Sequence, residues 1–174
     1  MLGITPDLKV ASVAQYSHEQ ISTKPGWVEH DPQAIYSNVI RCLKEVIKDL
    51  DITAENVRGI GITNQRETTV AFNSLTGLPL HNALVWLDKR TSDIVDEIKA
   101  KHSGDVDMWR EDCGLPVNTY FSAVKMRWLL ENAQAVREEA EAKESNLKFG
   151  TIDSWLIAVS TQCSLFSTLF RFRK

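Results

Sequence analysis

Nowhere does this 174-residue chain approach the roughly 18 consecutive apolar residues that a membrane-spanning helix needs. Its amino terminus also lacks the basic-then-apolar build of a secretory signal. Cysteine is scarce: Cys42, Cys113 and Cys163 are too few and too scattered for a disulfide framework, and no His/Cys cluster has zinc-site spacing. Neither sign of charge dominates. With 20 Lys+Arg against 23 Asp+Glu and a net charge of −3, composition gives no electrostatic reason to expect nucleic-acid binding, and attraction for a phosphate would need a local site. No internal repeat and no flexible linker interrupts the chain before residue 157. The expectation is a soluble, cytoplasmic globular protein with reduced thiols and no transmembrane segment.

What is present is an α/β pattern. Residues 9–16 partly alternate and predict a strand, and Gln20-Ile21-Ser22 predicts a second short one that can close a hairpin with it. Asp31-Pro32 reads as an N-cap followed by proline at the first helical position. Tyr36, Val39, Ile40, Leu43, Val46, Ile47 and Leu50 then recur at spacings of three and four, the clearest amphipathic helix in the chain. Residues 57–63 have the short, β-rich, glycine-bearing look of a buried strand that delivers Asn64 to Glu67 at its carboxyl end, where α/β sheets bind ligands.

Residues 68–72 and 83–86 read as strands separated by the turn signal Asn73-Ser74-Leu75-Thr76-Gly77. A helix is predicted from Thr91 or Ser92, with Asp93 in its first turn, Ile94, Val95 and Ile98 on its apolar face, and Glu97 paired with Lys101 towards solvent. Further helices are predicted over 105–111, 121–132 and 133–143. Within the second, Val124 with Trp128, and Met126 with Leu129 and Leu130, stand at helical spacing and read as core. His18, His30, His81 and His102 are isolated along the sequence and read as surface or core residues, not catalysts.

The chemistry concentrates at Asn64-Gln65-Arg66-Glu67-Thr68-Thr69 and at Asn82-Ala83-Leu84-Val85-Trp86. Arg66 offers five fixed donors and Glu67 offers acceptors, so together they can satisfy vicinal hydroxyls, while Trp86 supplies an apolar wall for a carbon chain. That set suits a small polyol. The plainer alternative is an exposed Arg66–Glu67 ion pair beside a core tryptophan. Asp88 either orients the turn bearing Arg90 or is a solvated turn residue.

Five blocks carry a wider resemblance: Lys24-Pro25-Gly26-Trp27-Val28-Glu29-His30-Asp31-Pro32, Gly59-Ile60-Gly61-Ile62-Thr63 running on through Asn64 to Thr69, Val85-Trp86-Leu87-Asp88, Tyr120-Phe121-Ser122-Ala123-Val124-Lys125, and Phe149-Gly150-Thr151-Ile152-Asp153-Ser154-Trp155-Leu156. In order and spacing they resemble the glycerol kinases, with Gly114-Leu115-Pro116 before Tyr120-Phe121-Ser122 closest to the animal members. The resemblance implies the N-terminal domain of an actin-like ATPase (ribonuclease H-like) fold, incomplete, over residues 1–157. It implies ATP-dependent phosphorylation of glycerol to glycerol 3-phosphate, with ATP and Mg as cofactors. Arg66, Glu67, Trp86 and Tyr120 would contact glycerol, Tyr120 through a phenol that donates to a terminal hydroxyl while its ring closes the pocket.

Departures from the pattern shape the expectation further. The family's Asp-Gln-Gly-Thr-Thr-Ser phosphate loop has no match in Met1-Leu2-Gly3-Ile4-Thr5-Pro6-Asp7-Leu8, and no residue matches its general-base aspartate or its adenine-binding glycine-rich segments. No catalytic residue is therefore assigned, and the chain is expected to be inactive alone. Residues 158–174 diverge from the family, combining three of the six phenylalanines and a basic tip without one acid. This stretch reads as a product of splicing, read-through or a mistaken gene model, or as a tail that docks on a partner or membrane surface. The competing class of function is a non-catalytic fragment that binds polyol weakly or modulates a full-length glycerol kinase subunit.

Overall fold

The computed structural model describes residues 1–162. In chain order the elements are β1 (Leu2–Ile4), β2 (Val10–Val13), β3 (Glu29–His30), α1 (Pro32–Asp49), β4 (Thr69–Asn73), β5 (Ala83–Leu84), α2 (Ser92–Lys101), α3 (Arg110–Cys113), α4 (Ser122–Asn132), α5 (Gln134–Glu141), β6 (Leu147–Thr151) and α6 (Ile152–Gln162).

Val70, Ala71 and Phe72 are successive residues of β4 and all are buried, which a strand achieves only when both of its faces are covered. Val70 and Phe72 point into one cluster with Ile35, Ala83, Ile152, Trp155 and Leu156, against which Tyr36 and Val39 of α1 also pack. Ala71 points the other way, joining Leu84, Leu129, Ala133 and Val136. The sheet therefore lies between α1 and α6 on one side and α4 and α5 on the other. Its strand order is β3-β5-β4-β6, and every pairing is antiparallel. Trp155 is the bulkiest buried side chain of the first cluster, and its indole N–H donates to the Gly77 carbonyl at 3.0 Å, so the ring is buried without an orphan donor.

The predicted α1 is present with its N-cap: Asp31 Oδ1 accepts from the Gln33 amide at 2.8 Å, and Pro32 occupies the first turn. Predicted strands at 68–72 and 83–86 become β4 and the shorter β5, and the Glu97–Lys101 pair forms at 2.6 Å. Three expectations are corrected. The hairpin of 9–16 is made with β1, not with residues 20–22; Ile21 instead bridges Glu29, extending the β3 side. Residues 57–63 form no strand, and residues 58–63 make no main-chain hydrogen bond among the described residues. They are unpartnered among the described residues, with Ile62 exposed and open space around Gly59 and Gly61. The helix expected at 105–111 shrinks to α3, which ends at once because Gly114 takes the left-handed conformation that stops a helix.

The histidines are also less isolated than their sequence positions imply. His18 and His30 meet edge to face, with His18 Nε2 and His30 Nδ1 3.3 Å apart, and His81 and His102 lie against Trp128 and Trp109. Of the tail expected over 158–174, residues 158–162 continue α6 and residues 163–174, Cys163 included, lie outside the described residues. Cys42 is buried and Cys113 exposed, both as free thiols.

Arg90 is the hub of the packing. Its Nη2 lies 2.9 Å from Asp88 Oδ2, its Nε donates to both Asp88 oxygens at 3.0 Å, and its Nη1 approaches Glu29 Oε1 at 2.8 Å as an ion pair outside hydrogen-bond alignment. The guanidinium carbon sits 4.0 Å from the Trp27 ring centre and 4.7 Å from that of Trp128. Asp88 in turn accepts the amides of Val28 and Arg90, so the turn-orienting reading of Asp88 is the correct one. Burial pushes the Glu29 carboxyl up, but the hydrogen bond from Asn82 and the adjacent positive charge of Arg90 outweigh it and hold the group below the usual glutamate range.

Arg90→Met leaves two buried carboxylates without their cation and is expected to cost about 3–5 kcal/mol in urea denaturation, whereas a loss under about 1 kcal/mol would remove Arg90 from this role. Burial, reinforced by the charge of His18, holds the His30 imidazole below the usual histidine range. As pH falls from about 6.5, the unfolded chain therefore takes up this proton before the folded one does, and stability drops. His30→Gln should flatten that limb of the stability profile between about pH 7 and 5; an unaltered slope would assign it to other groups.

Candidate functional site

Arg66 and Glu67 form the corner of a tight turn just before β4. Their placement differs from the expected strand end because the preceding run pairs with no strand among the described residues. The turn is fixed from its downstream side: the Thr68 amide donates to the Gln65 carbonyl at 3.2 Å, and buried Thr68 Oγ1 bonds Gln65 Oε1 at 3.3 Å and accepts the Trp86 amide at 3.2 Å. One hydroxyl thus ties the turn to the start of the Trp86 loop. Upstream, Asn64 Oδ1 accepts the Asp153 amide at the start of α6, at 3.2 Å.

Glu67 has φ of 65°, a left-handed conformation that a glutamate adopts only under constraint. The constraint is its carboxylate. Oε2 accepts both the amide and the hydroxyl of Ser122, at 2.6 and 2.7 Å, at the first residue of α4, where a negative charge also meets the positive end of the helix dipole. The plainer reading of an Arg66–Glu67 ion pair is therefore wrong. Oε1 accepts nothing among the described residues, and Arg66 is exposed without a hydrogen bond or ion pair among them.

Across from this turn, Trp86 is 46% exposed and its ring meets that of Tyr120 edge to face, 6.1 Å between centres. Phe121 backs the Tyr120 ring at 5.6 Å. Of the four sequence-predicted site residues, the structure thus draws together Glu67, Trp86 and Tyr120 through the β4 lead-in, the β5 exit and the start of α4. Arg66 stands at the same turn without a partner among the described residues. An exposed indole face, a phenol and a free carboxylate oxygen can line a small amphipathic ligand and accept its hydroxyls.

Sequence reasoning missed Lys125, Thr68 and Asn64. Lys125 is fully buried in α4, and its Nζ donates to the carbonyls of Thr119 and Tyr120 at 2.8 and 2.5 Å. Burial draws its ammonium down to about 8, against the opposing pull of the Asp88 and Glu67 carboxylates. A signal was available, since Lys125 shares an i, i+4 face with Leu129, which is also fully buried. No group of three or more His, Cys, Asp or Glu side chains among the described residues is placed to hold a metal ion. Nor does a glycine-rich loop open one of their helices. The residues described do not fit a nucleotide–metal complex. No helix among them is long and apolar enough to cross a membrane.

Residues 5–168 match the model of the N-terminal domain of the FGGY family of carbohydrate kinases. The chain belongs to that family. Its sequence is 47% identical over 148 residues to the glycerol kinase of Clostridium perfringens and 45% identical over 148 residues to that of Burkholderia pseudomallei, covering 85% of this chain in each case. The chain spans 29% of the length of these curated relatives. A crystal structure of Plasmodium falciparum glycerol kinase with ADP superposes with a TM-score of 0.83 at 35% identity, over 92% of this chain and 31% of that one. The xylulose kinase of Rhodospirillum rubrum, at 22% identity, shares the fold with a TM-score of 0.73, over 88% of this chain and 30% of its own. The mixed helix and sheet is accordingly part of an actin-like ATPase domain of the FGGY kinases.

Glu67→Ala removes an acceptor from two donors at the start of α4 and should lower stability by about 1.5–3 kcal/mol in urea, while Glu67→Gln, which keeps a carbonyl oxygen there, should lose less than half as much. Equal losses for the two would mean that the contacts to Ser122 carry little of the energy.

Proposed function

We propose that the turn at Arg66–Glu67, with Trp86 and Tyr120, is the acceptor face of a glycerol kinase, and that the whole protein to which it corresponds transfers a phosphoryl group from ATP to glycerol in the cytoplasm. The observation that supports this reading best is the meeting of Glu67, Trp86 and Tyr120 from three separate segments, together with 47% identity to a glycerol kinase. Trp86 gives the three-carbon chain an apolar wall, the Tyr120 hydroxyl donates to a terminal oxygen, and Glu67 Oε1 accepts from a ligand hydroxyl while Arg66 donates from the opposite side. Such a grip orients the acceptor, which is a large part of what a phosphoryl-transfer enzyme contributes beyond charge stabilisation.

The 174 residues taken alone bind polyol weakly and do not turn over ATP, because the described residues supply acceptor contacts and no donor set for the nucleotide and its metal ion. Such a chain could still associate with a full-length kinase subunit. A thermal melt of the purified chain should shift upward in excess glycerol, by about 2.7 kcal/mol at a hundredfold excess over Kd. The increment should vanish in Tyr120→Ala, which separates site binding from a general cosolvent effect. A shift of equal size in both proteins would reject the acceptor site, and glycerol phosphorylation by the purified chain would reject its inactivity.

A further inference from the structure

The ammonium of Lys125 reaches three successive main-chain carbonyls, with Phe121 O, at 3.5 Å, added to those of Thr119 and Tyr120. The Thr119 and Tyr120 carbonyls precede α4 and accept no main-chain N–H among the described residues, so this cation satisfies them. Burying a lysine completely is costly unless its donors are matched, and here the match is to one turn only. The same turn is gripped from its far end by Glu67 Oε2 on the amide and hydroxyl of Ser122. A cation therefore holds the carbonyls before Ser122 and an anion holds the amide at it. Tyr120 is strung between them, its ring centre 6.0 Å from Lys125 Nζ and 6.1 Å from that of Trp86.

We propose that Lys125 is a positioning residue for the polyol pocket: by fixing the 119–121 carbonyls it sets the Tyr120 ring opposite Trp86, without touching the ligand itself. This rests on the acceptor-face reading given above. A lysine placed merely to fill core space would be replaceable by methionine with the pocket intact. The position of the Tyr120 ring is therefore the discriminating quantity.

The test uses the full 174-residue chain and its Lys125→Met variant, followed by nuclear Overhauser contacts between the Trp86 and Tyr120 rings, with the Ala71–Leu129 contact of the core as the control. The expected result is a retained core contact, a lost ring contact, and a glycerol affinity weakened about tenfold or more. A ring contact that survives Lys125→Met overturns the proposal. If the ring contact is lost but glycerol raises the melt of neither protein, Lys125 keeps its positioning role and the polyol reading fails. Should Lys125→Met not fold, the unmodified chain is titrated from about pH 6.5 to 9.5, where burial places the loss of the Lys125 proton. The charged groups facing this ammonium are the carboxylates of Asp88 on the β5 exit and Glu67 on the β4 lead-in. The Tyr120–Trp86 contact should weaken with the midpoint of the Lys125 side-chain signal, and a contact indifferent to that titration overturns the proposal.

Discussion

A single buried guanidinium, packed against two indoles, holds the middle of this structure together. Arg90 draws Glu29 from β3 and Asp88 from the β5 exit to one point, and Trp27 from the loop before β3 and Trp128 from α4, themselves edge to face, both pack against its guanidinium. Arginine suits this position because its charge persists at any ordinary pH and its plane can stack while its edges bond. Asp88 passes the constraint on by accepting the Val28 amide. The Trp27-Val28-Glu29 segment, the sheet and α4 are thereby set relative to one another before any contact at the candidate site is counted.

The site inherits that order through Asp88 and Lys125. The Asp88 carboxylate serves Arg90 directly and favours the charged form of Lys125, so the core ion cluster and the Tyr120 turn share one electrostatic neighbourhood. Glu67 belongs to it as well, its carboxylate spent half on the start of α4 and half open. Such an arrangement pre-orients polar groups with fixed charges, which costs folding energy but leaves little to reorganise when a ligand arrives.

Much of the fold was legible in the chain. The Asp31-Pro32 start and the three-four spacing beyond it marked α1, because cap chemistry and periodicity are local properties. The β4 run was visible for the same reason. Residues 57–63 misled because β propensity reports how a segment suits a strand and not whether a partner lies alongside. The hairpin of β2 was likewise assigned to the wrong neighbour, since Ile21 and Leu2–Ile4 offer similar local patterns and only tertiary contact chooses between them. At the site, Arg66, Glu67, Trp86 and Tyr120 stood out through resemblance and residue chemistry. Lys125 did not, because a lysine is read as solvated until a structure shows what it bonds.

The unpaired run at 58–63 has a consequence for how disturbance travels. Among the described residues its amides meet no acceptor, which puts the run at the low-stability end of the fold, whereas Asn64 is bonded to the first turn of α6 and Thr68 to the Trp86 loop. Fluctuation upstream is thus clamped at a sharp boundary, six residues of slack ending on a fixed post. The corner that carries Arg66 and Glu67 lies on the quiet side of that boundary, insulated from its own lead-in by one asparagine side chain.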